Sequence, residues 1–348
     1  MPNALSNDFA RRLVVVIVAL ALALFFWAVR DAVLLAFAAV LLAVAVHGTA
    51  DMVPKKANLP RAASLGLAAS LLVGVLCAIV FMFGYELVDE LSGVIERLPE
   101  AWERVRETLN DNAVGASLVA EIEKTLSGQG ETSLQDMVAR AGSYTLPLAS
   151  GLTTALLVVF VAAFFTTGAR TYRRGALLLL PKGVDEKVGE AFDASAQALK
   201  RWLFGTFMDM VIIAALLGVT LWALDVPAFV GLALIAGIAQ FVPTIGPLAA
   251  AIPGILLAFT VSPATALWTA IGYIVVSQVE ANAISPIIQK NATSIAPALN
   301  LLAVLAFGML LGPLGILLAT PMLVVFSIFI VKLYVRDTLG KEADFPGA

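Results

Sequence analysis

The stretch Phe241-Val242-Pro243-Thr244-Ile245-Gly246-Pro247, running on through Ala249-Ala250-Ala251 to Ile252-Pro253-Gly254, is as apolar as a membrane span yet carries three prolines. Proline removes an amide donor and clashes with the preceding turn, and glycine tolerates backbone angles that other residues avoid. A continuous helix through this run is not expected. In hydrocarbon an unpaired backbone group is costly, so broken backbone at membrane depth survives only where protein covers it or water fills a cavity. The run is therefore a candidate permeation or binding site, with Gln240, Pro243, Thr244, Gly246, Pro247 and Pro253 as its candidate path residues.

Composition fixes the setting. Of 348 residues, 60% are hydrophobic and 14% charged, against about 25% charged in soluble domains. The chain reads as an all-α polytopic membrane protein, a single integral membrane domain over residues 1–348. A net charge of -3 argues against nucleic acid as a partner, since phosphate binding needs concentrated Lys and Arg. Cys77 is the single cysteine and His47 the single histidine, which excludes a disulfide framework and metal sites built on paired histidines. No Walker A phosphate loop is present. Neither a cofactor nor a metal is expected, and no constellation for intramembrane proteolysis is suggested, so the chain does not read as an enzyme.

Taken in order, the apolar runs give about eight spans or half-spans. Residues 13–29 form a first span, retained because no small-residue cleavage site follows it. Residues 32–53 form the second, after the polar pair Arg30-Asp31, and residues 62–85 the third, with Gly66, Ser70 and Gly74 as a small-residue stripe suited to close packing. Residues 86–145 differ: twelve acidic residues face five basic ones, and Leu87, Leu91, Val94, Ile95 and Leu98 recur at helical spacing. This acidic insert reads as a small extramembrane layer of amphipathic helix, with a turn at 127–130 and a capping box at Ser133 and Asp136. Residues 146–167 are the next span. The segment 168–202 is basic and cytoplasmic, and its part 184–203 reads as an amphipathic helix along the membrane before a span at 203–224.

Residues 229–242 and 248–259 are each too short to cross a core of about 30 Å. Joined through the prolines, they make either a proline-broken helical hairpin or two short tilted spans. Residues 263–279, 297–311 and 314–331 follow, the last two separated by Gly312-Pro313. Basic loops set orientation. With Arg11-Arg12 inside, Lys55-Lys56, the 170–201 segment, Lys290 and Lys332 all fall inside, both termini are cytoplasmic, and the acidic layer and the entry of the Pro243 element lie outside.

Polar residues inside apolar runs are functional candidates by default. Asp209, Glu280, Asn282 and Asn300 form the candidate coupling or polar site. Asp209 either relays a proton or coordinates a cation, or pairs with Lys200 or Arg201. Glu280, with Gln278, Asn282, Gln289 and Asn300, is either part of a solute path or an interfacial loop at the inner surface. Gly246-Pro247-Leu248 before Pro253 is partly matched by Gly312-Pro313-Leu314 before Pro321, a hint of two broken elements with a site between them.

Asp225-Val226-Pro227, the Pro243 run, Glu280 with Asn282 and Pro286, and the ending Gly312-Pro313-Leu314-Gly315-Ile316-Leu317-Leu318-Ala319-Thr320-Pro321 together resemble the AI-2E (autoinducer-2 exporter) family, over nearly the whole chain. The resemblance implies a bacterial inner-membrane permease of about eight spans that assembles as a homo-oligomer, a pentamer in the family pattern. It also implies either export of an autoinducer-2-like solute, serving quorum sensing, or sodium or lithium/proton antiport. Three readings therefore stand: a permease for a small polar solute, a monovalent cation/proton antiporter using Asp209 or Glu280, and a non-transporting scaffold whose acidic helices bind a partner. Membrane lipid is a partner in all three.

Overall fold

A computed structural model describes residues 27–52, 145–243, 245–289 and 295–341, together with scattered helical residues between 63 and 119. The expected first span lies almost wholly outside the described residues. So do most of the third span and the acidic insert, including its turn and capping box, and Thr244. Among the described residues every regular element is helical: α1 Arg30–Met52, α2 Thr145–Leu178, α3 Val184–Ala223, α4 Phe229–Ala239, α5 Ile245–Val261, α6 Pro263–Val279, α7 Ser285–Gln289 and α8 Pro297–Phe329. π-helical turns extend α6 over Glu280–Ile284 and α8 over Ile330–Arg336.

Five stretches are long and apolar enough to cross a bilayer: Arg30–Asp51, Thr153–Leu178, Val184–Ala223, Pro263–Ile288 and Pro297–Arg336. The protein is a multi-pass membrane protein. The last stretch does not cross as one rod, because Gly312 adopts φ 70° and ψ -155° inside it. Thr320 Oγ1 donates to Asn300 Oδ1 at 2.9 Å, and the Phe307 and Phe326 rings stack at 6.1 Å. Twenty residues of straight helix would hold the first pair about 30 Å apart. Thus α8 is a hairpin, its two arms meeting at Gly312, where a backbone angle open to glycine lets the chain reverse.

The Pro243 run makes the other hairpin. After Ala239 the chain turns through short bonds, Phe241 N–H to Ile238 O at 3.1 Å and Val242 N–H to Ala239 O at 3.0 Å, and α5 starts as Gly246 N–H reaches Val242 O at 3.0 Å. A Cβ on Gly246 would collide with the Ala239 carbonyl, so only glycine lets the two arms meet this closely. Of the two shapes open to this run, the structure takes the hairpin. The break is narrower than the prolines imply. Pro247 occupies the first turn of α5, where a missing N–H costs nothing, and Pro253 lies inside a helix that runs on to Val261.

The change in composition at Leu203 suggests two elements over residues 184–224, but α3 passes through as one helix of 40 residues, about 60 Å long. Six other helices, α1, α2, α4, α6, α7 and α8, pack along it. Its C-terminal half, through Ile213, Leu217 and Leu221, shares a core with Leu232 and Ala236 of α4, Leu257 of α5 and Tyr273 of α6. Its N-terminal half, through Ala198, Leu199 and Trp202, shares a second core with Leu34 and Leu41 of α1 and Leu318, Val324 and Ile328 of α8. Beyond that core four exposed ion pairs tie the start of α3 to its neighbours: Lys200 to Asp51 at 2.6 Å, Arg173 to Asp193 at 2.7 Å, Lys332 to Glu190 at 3.4 Å, and Lys187 to Asp337. Exposed pairs each contribute about 0 to 1 kcal/mol, so the apolar cores hold the bundle and the charges align its ends.

Two substitutions test this packing. A Cβ on Gly237 would lie 2.7 Å from Met210 O and 2.8 Å from Ala214 Cβ, so Gly237→Val should push α4 off α3 and cost about 1–3 kcal/mol, read as a lower melting temperature in detergent. Thr320→Val should remove the bond between the arms of α8 and cost about 0.6–1.7 kcal/mol. A double-mutant cycle with Asn300→Leu should then show coupling, whereas two additive losses would mean the arms are held without it.

Candidate functional site

Three registers along α3 lead to one level. Phe192 of α3 packs against Phe329 of α8 with centroids 5.5 Å apart, and Glu190 meets Lys332, so the returning arm of α8 runs antiparallel to α3. Gly312 lies seventeen residues before Phe329, and Asp209 lies seventeen after Phe192. Equal rise per residue therefore brings the Gly312 tip to the level of Asp209. On the other side, Gly218 faces Ala233 and Gly237 faces Met210 and Ala214, so α4 is also antiparallel to α3. Gln240, three residues past Gly237, comes to the same level. In α6, a Cβ on Gly272 would lie 2.7 Å from Thr220 Cγ2. Eight residues further, Glu280 arrives about one turn from the level of Asp209.

The two hairpins thus point at each other along α3, and their tips meet where its C-terminal core ends and its N-terminal core begins. Phe241, beside the first break, and Leu311 and Leu314, beside the second, pack against the same cluster. The Phe241 ring also meets Trp202 edge-on at 5.5 Å. Apolar side chains therefore close the seam around a small polar group. Gln240 is 4% exposed, and its Oε1 has no hydrogen-bond partner, nor has the buried Oδ1 of half-buried Asp209. Buried polar atoms are nearly always paired. Two orphaned oxygens at one level, with a second carboxylate about a turn away, make a group of acceptors suited to a ligand that brings donors or positive charge.

Asp209 forms no ion pair with Lys200, which is bound to Asp51; two and a half turns of helix separate the two residues. Pro243 and Pro247 are half-buried and Gly246 is buried, all at the first tip, while Pro253 stands well inside α5. Asn282 is exposed and donates to its own helix, to Gln278 O at 2.9 Å and Gln278 Oε1 at 3.1 Å. Asn300 is 7% exposed and paired with Thr320, twelve residues from the Gly312 tip. It joins the arms of the hairpin and does not reach the seam. Among the described residues no cluster of three His, Cys, Asp or Glu is placed to hold a metal ion. Sequence reasoning missed Trp202, which carries no polar signal, and had Gly312 only as a hint, through its likeness to the Gly246-Pro247 break.

Opposite the ion-paired end, Arg104 of the acidic insert donates from Nη1 to Thr260 O at 2.7 Å. This contact caps the last turn of α5, just before Ser262 accepts from Thr265 N–H and starts α6. A cation at a helix C-terminus meets unpaired carbonyls and the negative end of the dipole. The insert thus touches the first hairpin at its open end, away from the seam.

Relatives named "Putative transport protein" include three from Bacillus subtilis and Mycobacterium tuberculosis. YrrI of Bacillus subtilis (strain 168) is 27% identical over 178 residues, 51% of this chain and 50% of the relative. MT0215 of Mycobacterium tuberculosis (strain CDC 1551 / Oshkosh) is 30% identical over 177 residues, 51% of this chain and 48% of the relative. The chain thus spans about half the length of each of these two in the matched region. YueF of Bacillus subtilis (strain 168) is 21% identical over 303 residues, 82% of both chains. The profile described as AI-2E family transporter matches residues 13–335. A match over nearly the whole length, on a bundle built around two broken hairpins, makes this chain a member of the AI-2E family of transporters.

Proposed function

We propose that the protein is a secondary transporter that moves a small polar solute across the bacterial inner membrane, with its path at the seam between the two hairpin tips. The observation that carries the reading is the convergence of Asp209, Gln240 and the Gly312 tip on one level of α3, with two buried oxygens left unpartnered. Facing half-helices that meet at a midplane site are a recurring plan in transporters, since they put helix ends and free polar groups on a solute without exposing backbone to lipid. An autoinducer-2-like polyol fits an acceptor-rich seam because its hydroxyls donate. Homo-oligomeric assembly and cytoplasmic termini belong to the same reading.

A second reading is monovalent cation/proton antiport. It is favoured by the placement of two carboxylates, Asp209 and Glu280, within about one turn of each other along α3, where a bound cation or a shared proton could bridge them.

Reconstitution into proteoliposomes separates the two. Under the first reading autoinducer-2 or a related polyol crosses, and Asp209→Asn or Gln240→Ala lowers flux about ten- to a hundredfold, the cost of a lost hydrogen bond to a charged or buried group. Under the second, Asp209→Asn combined with Glu280→Gln abolishes pH-dependent sodium or lithium exchange while polyol flux is absent throughout. Silence with every one of these solutes would defeat both.

A further inference from the structure

The returning arm of the first hairpin, α5, is packed unevenly along its length. Over residues 246–252 only Gly246 and Ala250 are buried, while Leu248 and Ile252 are 72% and 61% exposed. Over residues 253–260 no residue is exposed, and Gly254, Leu257 and Ala258 are buried. The end of this second part is also held from outside, by Arg104 on Thr260 O. At the seam, the segment 246–252 is joined to α4 through the turn, where Val242 O accepts from Gly246 N–H. A segment with few buried contacts, set beside one with many, is the part of a helix that opens first.

The boundary between the two parts falls at Pro253 and Gly254. Pro253 has no N–H to give Ala249 O, so one rung of α5 is missing there. The neighbouring carbonyl, Ala250 O, accepts from Tyr273 Oη of α6 at 3.3 Å. Tyr273 is buried and reaches that carbonyl because residue 254 is glycine: a Cβ there would lie 2.6 Å from Oη. The bond therefore ties the thinly packed side of the break to α6. Gly272 meets Thr220 of α3 and Tyr273 meets Gly254 of α5, and at about 100° per residue Thr269 falls on the face between them. Thr269 is fully buried and its Oγ1 has no partner. Buried hydroxyls are nearly always paired, so this junction, one turn of α6 from Tyr273, is not fully satisfied as it stands.

Resting on the reading of the seam as the solute path, we propose that residues 246–252 swing about a joint at Pro253 and Gly254 to open the seam, and that Tyr273 is the positioning residue that holds this segment closed through Ala250 O. The base of α5 stays packed while its tip moves, as in hinges where a few residues absorb the whole change. The swing carries Gly246 and Pro247 away from the level of Asp209 and Gln240, and so opens the two unpartnered oxygens to a solute. One hydrogen bond is a fitting latch, because it is strong enough to bias the closed place and weak enough to yield during transport.

The test reads distance, not flux. Full-length protein with Cys77→Ala carries spin labels at Leu248→Cys on the tip and Lys182→Cys in the exposed turn before α3. A second pair has Val261→Cys, on the base, with Lys182→Cys. Labelled chain is diluted with unlabelled chain in nanodiscs, so that double electron–electron resonance reads distances within one copy. The tip pair should give a main distance and a minor one. Tyr273→Phe should raise the minor share about two- to tenfold, the shift that one hydrogen bond supports, and leave the base pair unchanged. Adding Pro253→Ala, which restores the missing N–H, should reverse the rise, a rescue that mere loss of packing at Tyr273 would not show. Pro253→Ala alone should lower the minor share below that of the native chain. An unchanged tip pair in Tyr273→Phe would overturn the latch. Both pairs shifting together would mean that the hairpin moves as one body and would overturn the joint, as would a rise that Pro253→Ala leaves in place. No solute is needed, so absent flux in proteoliposomes defeats the transport reading while the distances alone decide the swing.

Discussion

The whole bundle answers to the cost of leaving a backbone amide or carbonyl unpaired in hydrocarbon. Two helices of this protein stop inside the membrane-spanning region, at Gln240 and at Gly312, and each stop frees such groups. Both stops lie beside α3, which is unbroken over 40 residues and so has no free backbone groups of its own between its ends. An intact helix is the partner that two interrupted ones need. The separate cores on its two halves follow from this: each hairpin is packed along its length by its own cluster, so the stops are held in place from behind.

Between those clusters α3 runs from Leu203 to Ile212, and the polar group at that level is small. Trp202 and Phe241 close one side with an aromatic contact, and the apolar residues flanking Gly312 pack into the same cluster. Burial strengthens every electrostatic interaction in such a space. It also makes each unpaired oxygen expensive. The Asn300–Thr320 pair shows the contrast: its hydroxyl and amide oxygen satisfy each other, and it serves the hairpin's own stability. This paired group sits along the arms, whereas the orphaned oxygens of Gln240 and Asp209 sit at the level of the tips.

Much of this was legible in the sequence. Prolines in an apolar run signalled the first break, and short apolar lengths on either side signalled half-helices. Gly312-Pro313 was visible as a separator, and its likeness to Gly246-Pro247 as a hint of repetition. What could not be read was register. Asp209, Gln240 and Glu280 stand tens of residues apart, and their meeting depends on glycines at 237 and 272 that let α4 and α6 approach α3 to contact distance. The continuity of α3 was hidden for another reason. Its composition changes near Leu203 from amphipathic to mostly apolar, with Asp209 as the one charge before Leu224, which on sequence alone resembles a boundary between two elements. The change instead marks where its neighbours change, from charged helix ends to buried arms.

The shared level of the two tips makes α3 a ruler. Each tip is placed by counting residues from a fixed contact: from Phe192 on one side, from the Asp225-Val226-Pro227-Ala228 reversal on the other, where Asp225 and Ala228 take φ 51° and 57° to turn the chain sharply. A turn added to α3 between Phe192 and Asp209 lifts the site away from the Gly312 tip unless the returning arm of α8 gains the same turn. Length changes in the N-terminal part of α3 are thus tolerable only in matched pairs with α8, and those in its C-terminal part only with α4. The turn between α2 and α3 fixes neither tip, so the chain is free to vary in length there, and least free along the two arms that measure out its centre.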